Sequence, residues 1–413
     1  MENSKKTAVY VGSFDPITWG HLAIIIDILT AYDQVIIAIG KNPDKQKPLF
    51  SRNYRLHMVN LALEDLRANY EHRFLTGRDF SMAEIEALQR LKANPKIIRV
   101  ECFDDMSVDF AIRNHVDTII RGERLVGDHD FESKLSMMNK MLCDVRRVHL
   151  SKHQITVPQE KLTYISSSSA KEFAFCQEYA VAANFVTPHI LNLLTAKSLA
   201  ADFRKLCIDF GFDDVLEYDD IEQMWYDLRG RYLRPAEYSL FFIGYCINYL
   251  NIYHRNCKEI TDYNLIKAAI YYAYFDDRKS KEGREASKAA ARHLLEHLSR
   301  EEAAKVEKLI DVLRSEATDF PADSLDENDR ILADVTQIRL GDKNNYGSFA
   351  LEWLLSSSLD EKSYAEKRLE EIQKLLAKEF LLKTDYFRKK FEETARLNLI
   401  REQDYWRRIQ KAE

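Results

Sequence analysis

At 413 residues the chain exceeds one typical domain, and two is the expectation. A net charge of −6 leaves no electrostatic footprint for nucleic acid, and no apolar run is long enough to span a membrane. Six cysteines, at 102, 143, 176, 207, 246 and 257, form no CxxC pair, which argues for free thiols in a reducing compartment rather than zinc or disulfides. The opening MENSKKT has no apolar leader region, so the cytoplasm is the expected location. In chain order, Ala8–Val11 is a short apolar run bounded like a buried parallel strand. Leu22–Leu29 is apolar enough and long enough for a helix, so the residues between make a strand-to-helix turn. Val35–Ile39 reads as a second strand, and 52–69 as a helix with Leu56, Val59, Leu63 and Leu66 at helical spacing. Residues 71–96 read as an added helical insert: Ser81 and Glu84 form a capping box, Ile85, Leu88 and Leu91 share a face, and Asn94-Pro95 ends it. Ile97, Ile98 and Val100 make a third strand, Val108–Ile112 begins a helix, and Thr118–Ile120 is a fourth strand. A helix over 131–142 and a final strand at Val148–Leu150 complete the alternation. Such alternation predicts an α/β, doubly wound parallel sheet of Rossmann type, with ligands beyond the carboxyl ends of its strands. After Leu199 the alternation gives way to helical periodicity, so 1–198 and 199–413 are the expected domains, the second all-α.

Polar motifs follow the strands. GSFDPITWGH, from Gly12 to His21, fills the first turn. Gly12 permits close backbone approach, Pro16 stiffens the loop, and Gly20 opens the helix. The N–H groups and dipole of a helix start suit a phosphate, and His21 can donate to an anionic oxygen there. GKNPDKQKPLF, from Gly40 to Phe50, places Lys41, Lys45 and Lys47 in a loop at the ligand edge. A lysine there can follow a phosphoryl group through its transition state. Arg121 leaves a strand end, where a guanidinium can clamp a phosphate, and Gly122 lets the backbone approach a nucleotide. Ser166–Ser169 precede a helix, and hydroxyls with backbone N–H groups form an anion site there.

Together these strings resemble the nucleotidylyltransferase superfamily, and within it the bacterial phosphopantetheine adenylyltransferases. Thr18-Trp19-Gly20-His21 resembles the (T/H)xGH signature; IIRGERLVGDHDFE, from Ile119 to Glu132, resembles RGLRxxxDFEYE; Ile165–Glu172 resembles ISSSxxKE. The resemblance implies direct in-line transfer of the adenylyl group of ATP, with Mg²⁺, to 4′-phosphopantetheine, giving dephospho-coenzyme A and pyrophosphate, in a homo-oligomer. It implies His21, Lys45 and Arg121 as catalytic residues. The acceptor would meet Ser13, Lys45, Ser107 and Arg121. ATP would meet Ser13, Phe14, His21, Gly122, Glu123, Arg124 and Glu132, with Leu162, Thr163, Tyr164, Ile165, Ser166, Ser167 and Ser168 along its phosphates. The family pattern is one residue shorter at the lysine loop, so Lys47 is a substitute for Lys45. Glu123 stands where the family has Leu, and His129 where it has Phe; a carboxylate near a triphosphate is repulsive unless it points away or meets a metal. Two other activities fit the same residues: adenylyl or cytidylyl transfer to another phosphorylated acceptor, and regulatory nucleotide binding without turnover.

In the second half, Ala365, Leu369, Ile372, Leu376 and Phe380 make one apolar stripe, and Phe387, Phe391 and Ala395 begin another. His293-Leu294-Leu295-Glu296-His297 matches a zinc-peptidase pattern. Both histidines, however, fall opposite the stripe of Ala291, Leu294, Leu295 and Leu298, so no metal is expected there. Ile270–Ser287, Leu332–Val335 and the Phe387 helix with Asp404-Tyr405-Trp406 resemble small helical HD-superfamily predicted metal-dependent phosphohydrolases. Tyr271-Tyr272 stand where that family has His-Asp, and Asp334 alone remains of its ligands. The resemblance implies a degenerate HD-like scaffold without metal.

Overall fold

Strands that are apolar along their length need cover on both faces, and the computed structural model of the chain supplies it. The structure describes residues 6–40, 48–69, 80–116, 118–123, 129–156, 165–211, 240–257, 260–273, 281–314, 325–343, 346–357 and 359–411. Thr7–Gly12 (β1), Gln34–Ile39 (β2), Ile98–Cys102 (β3), Thr118–Glu123 (β4) and Ser151–Thr156 (β5) form one sheet of order β3-β2-β1-β4-β5. Every pairing is parallel. The central strand is β1, where Val9 pairs with Ile36 on one side and Ile119 on the other. The winding reverses beside it, so the carboxyl ends of β1 and β4 flank the crevice where such sheets take ligands.

Around the sheet lie Trp19–Ala31 (α1), Arg52–Asn69 (α2), Met82–Ala93 (α3), Ser107–Arg113 (α4) and His129–Arg146 (α5). Ser167–Phe175 (α6), Tyr179–Ala182 (α7) and Pro188–Asp209 (α8) follow. Val9, Ile36 and Ala38 of the sheet pack with Phe103, Phe110 and Val116 on one face. Leu22, Ile25, Ile28 and Leu29 of α1 are fully buried. Helix α3 carries the expected capping box, with Glu84 N–H donating to Ser81 Oγ and Ser81 N–H to Glu84 Oε2. It buries Leu88 and Leu91, and its Arg90 donates to the last carbonyls of α1, at Leu29 and Tyr32.

Three strand boundaries differ most from the sequence reading. Strand β4 does not end at Ile120 but runs through Arg121 and Gly122 to Glu123, because those residues pair with Gln154, Ile155 and Thr156 of β5. The last strand is Ser151–Thr156, not Val148–Leu150. As an edge strand it pairs with β4 alone, and an edge position does not demand the apolar run that marks a central strand. Ile97 closes a 3₁₀ turn begun by Pro95, so β3 starts one residue later.

The chain divides into two compact units: Met1–Arg73 with Gly77–Phe173 and Val181–Leu191, and Phe74–Thr76 with Ala174–Ala180 and Asn192–Glu413. Among its described residues the second unit is helical. It contains Leu240–Asn256 (α9), Tyr263–Ala273 (α10), Lys281–Leu295 (α11), Arg300–Arg314 (α12) and Glu327–Gln337 (α13). Tyr346–Ser356 (α14), Glu361–Leu376 (α15) and Asp385–Lys411 (α16) complete it. Ala365 and Ile372 are buried as the stripe requires, but Phe380 lies beyond the end of α15, 40% exposed, with the Arg388 guanidinium 3.9 Å from its ring centre. At the end of α11, Ala291 and Leu295 are buried while Glu296 and His297 are exposed; the His293 side chain lies outside the described residues. Tyr271 donates to Asp202 Oδ2 at 2.6 Å, and Lys267 pairs with the same carboxylate at 2.7 Å. No described helix is long and apolar enough to cross a membrane.

Candidate active site

The loop after β1 is built from the inside out. Phe14 takes a positive φ of 46° and its ring is fully buried. That ring occupies the space a Cβ on Gly12 would need, 2.8 Å from Phe14 Cζ. So the glycine makes room for the Phe14 ring. The ring also lies 5.1 Å from that of His21 and backs it.

Thr18 is the N-cap of α1 and His21 its third residue. The Thr18 backbone N–H donates to His21 Nδ1 at 3.0 Å, with Thr18 Oγ1 at 2.8 Å from the same nitrogen. A backbone N–H can only donate, so Nδ1 is an acceptor and the neutral ring carries its proton on Nε2. The sequence alone placed His21 near a phosphate; the cap fixes which nitrogen donates.

The side chains of Asp15, Lys171 and Arg55, to which the sequence motifs assign no role, hold this loop. Asp15 accepts from the backbone N–H groups of Leu49 and Phe50 at 3.0 and 3.1 Å, and from Lys171 Nζ at 3.0 Å. Arg55, 3% exposed, donates to the carbonyls of Ser13 and Gly40 at the ends of β1 and β2. Burial pushes the Arg55 pKa down, against the Asp15 charge that raises it. Trp19 N–H donates to Phe185 O at 2.9 Å, and Ser167 Oγ to Pro16 O at 2.8 Å.

Across the crevice, the structure brings Arg121 and Ser107 together. Arg121 Nη2 donates to Ser107 Oγ at 3.4 Å, and Ser107 donates onward to Asn139 Oδ1 at 3.2 Å. Asn139 is a further residue the sequence motifs did not reveal. The missing Cβ of Gly122 serves packing: it would stand 2.3 Å from Ile24 Cδ1 and 3.2 Å from the Tyr10 hydroxyl. In the serine segment, Ile165 is buried and Ser166 Oγ caps α6 by accepting from Ser169 N–H at 2.9 Å. Lys41, Lys45, Lys47, Arg124, Leu162, Thr163 and Tyr164 lie outside the described residues, as do the side chains of Glu123, His129 and Glu132. Among the described residues, no group of three His, Cys, Asp or Glu side chains could hold a metal ion.

A parallel sheet with a histidine at one helix start and a buried arginine across its switch point is an arrangement suited to a phosphate-bearing ligand. A cytidylyltransferase-like family model matches residues 9–173. The phosphopantetheine adenylyltransferase of Thermodesulfovibrio yellowstonii is 32% identical over 171 residues, 41% of this chain and 84% of that protein. That of Clostridium botulinum (strain Langeland) is 33% identical over 41% of this chain and 82% of that protein. That of Alkaliphilus metalliredigens is 29% identical over 47% of this chain and 99% of that protein. The chain belongs to the cytidylyltransferase-like family of nucleotidyltransferases. Among solved structures, the Plasmodium falciparum nicotinic acid mononucleotide adenylyltransferase complexed with NaAD aligns at 17% identity over 45% of this chain and 91% of that one, with a TM-score of 0.25.

Proposed function

We propose that residues 1–198 transfer the adenylyl group of ATP to 4′-phosphopantetheine. An oxygen of the acceptor phosphate attacks the α-phosphorus; the bond from that phosphorus to the bridging oxygen breaks, and pyrophosphate leaves. Catalysis is then positioning and charge stabilisation, with no covalent enzyme intermediate. In this reading His21 Nε2–H donates to an α-phosphoryl oxygen, Lys45 meets the same group, and Arg121 holds the acceptor phosphate. ATP enters as its magnesium complex. The Asp15 carboxylate in this loop has its oxygens engaged by Leu49, Phe50 and Lys171, so the ion would be carried by the nucleotide's own phosphates.

One observation carries the choice of acceptor: the Arg121–Ser107–Asn139 relay stands at the switch point of a chain whose similar relatives are named for phosphopantetheine. Pyrophosphate release with ATP and a panel of phosphorylated acceptors tests it. Phosphopantetheine should give the highest kcat/KM. Equal or better turnover with nicotinate mononucleotide assigns another acceptor, and ATP binding with no turnover assigns a regulatory role.

Residues 199–413 belong in this proposal as a degenerate HD-like scaffold that binds or regulates. Asp334, the surviving ligand position, accepts from the backbone N–H groups of Lys383 and Thr384 at 2.6 Å each. Tyr272 is buried, and Tyr271 is committed to Asp202. A homo-oligomer is part of the same proposal.

A further inference from the structure

Asp15 is a buried acid at the edge of a site that must hold a polyanion, which is a costly place for a negative charge. A carboxylate there would repel phosphates unless its charge were consumed. The structure shows how it is consumed. Its two oxygens take the Leu49 and Phe50 N–H groups and the Lys171 ammonium. These partners come from two further parts of the chain, the segment ending at Phe50 and the serine helix α6, so the carboxylate ties its own loop to both. Within hydrogen-bonding reach of the same loop, Ser167 Oγ donates to Pro16 O at 2.8 Å, so α6 is tied at two points. Arg55 holds Ser13 O and Gly40 O and feels the Asp15 charge. One acid between two cations leaves the cluster net positive, which suits a phosphate above it.

We propose that Asp15 is a positioning residue of the transfer site: through Lys171 and the Leu49–Phe50 amides it sets the start of α1, with His21, against the start of α6, with Ser166 and Ser167. The proposal rests on the adenylyl-transfer reading. Both helix starts present N–H groups and a positive dipole end, and two such ends stabilise one migrating phosphoryl group only when their spacing is fixed. Charge that shifts during transfer feels a misplacement more than bound ATP does, because ground-state phosphates can adjust. Asp15 itself does not touch the reacting atoms.

The test uses the full chain, with Asp15→Asn, Lys171→Met, Lys171→Arg and the Asp15→Asn/Lys171→Met double variant. Steady-state kcat and the KM for each substrate are measured with ATP and 4′-phosphopantetheine, ATP affinity by titration, and folding by thermal melting. Asp15→Asn and Lys171→Met should each lower kcat about 30-fold or more while ATP affinity changes less than about threefold, a loss on the scale of misplaced catalytic groups. The double variant should be no worse than the poorer single one, because the two residues act as a unit. Lys171→Arg should recover most of the lost kcat. If Asp15→Asn fails to fold, Lys171→Met, which leaves the two amide bonds in place, decides the matter. A wild-type chain that turns over with kcat unchanged in folded Lys171→Met overturns the positioning role alone, as does a kcat loss that tracks the unfolded fraction. A wild-type chain that turns over no acceptor overturns the transfer reading and the proposal with it.

Discussion

The most consequential atom in the first unit is His21 Nε2. Because Thr18 N–H donates to Nδ1, the ring presents its other nitrogen as a donor without needing a positive charge. A donor aimed at charge that develops only in the transition state affects kcat rather than binding. His21→Ala should therefore lower kcat by about 100-fold or more, on the scale of a lost oxyanion donor, with ATP affinity changing far less. Steady-state kinetics beside an ATP titration would check this; a weakened affinity at unchanged kcat would assign the ring to ground-state binding. The position of His21 at the start of a helix was legible in GSFDPITWGH, and that of Arg121 after an apolar strand in IIRGERLVGDHDFE; the contact of Arg121 with Ser107 was not. Asp15, Arg55, Asn139 and Lys171 were not. Their roles arise from pairings such as Asp15 with Lys171, 156 residues apart, and local periodicity carries no information about which distant donor will meet a given carboxylate.

At the scale of elements, helices with one strong apolar face were the most readable, since a helix must bury its stripe wherever it lies. Helix α3 and its capping box are a case. Ends were harder to read. Phe380 continues the spacing of α15 but sits past its last turn, where the connection to α16 is fixed by polar side chains instead. Glu392 accepts from Leu381 and Leu382 N–H, Arg396 donates to the carbonyls of Leu376, Lys378 and Glu379, and Asp334 accepts from Lys383 and Thr384. Burial pushes the Asp334 carboxyl up to about 6, against those hydrogen bonds, which pull it down. A carboxyl raised in the fold binds its proton more tightly there than in the unfolded chain. Its contribution to stability is therefore complete below about pH 4 and is lost as pH rises through 6. Compared with Asp334→Asn, the wild type should gain about 2 kcal/mol of unfolding free energy as pH falls from 7 to 4.5. Urea unfolding of both chains across that range measures the difference; a flat difference would show that the carboxyl titrates at its ordinary value.

At the scale of the whole molecule, each unit is closed by groups that composition does not advertise. In the second unit Arg368 and Glu402 form a buried two-bond pair, at 2.9 and 3.0 Å. Tyr346 and Trp406 also donate to the carboxylate, and the Trp353 ring lies 4.4 Å from the guanidinium. Arg368 holds the Glu402 pKa below its usual range despite burial, so the pair stabilises above the ordinary carboxylate range and weakens as pH falls below it. Arg368→Met leaves that charge alone and should cost about 3–5 kcal/mol, read from the midpoint of urea unfolding; a loss under 1 kcal/mol, the scale of an exposed pair, would show that water reaches the site. In the first unit the closing groups come from its far end. Trp19 N–H finds its acceptor at Phe185, and Asp65 accepts from the backbone and ring of His189. Synthesis runs from the N- to the C-terminus, so the signature loop is made well before the Phe185 carbonyl that completes it. A chain that ends after His21 but before Phe185 therefore holds every residue of the GSFDPITWGH loop while the hydrogen bond from Trp19 N–H at the head of its helix is still unmade, and the loop is completed only by residues made long after it.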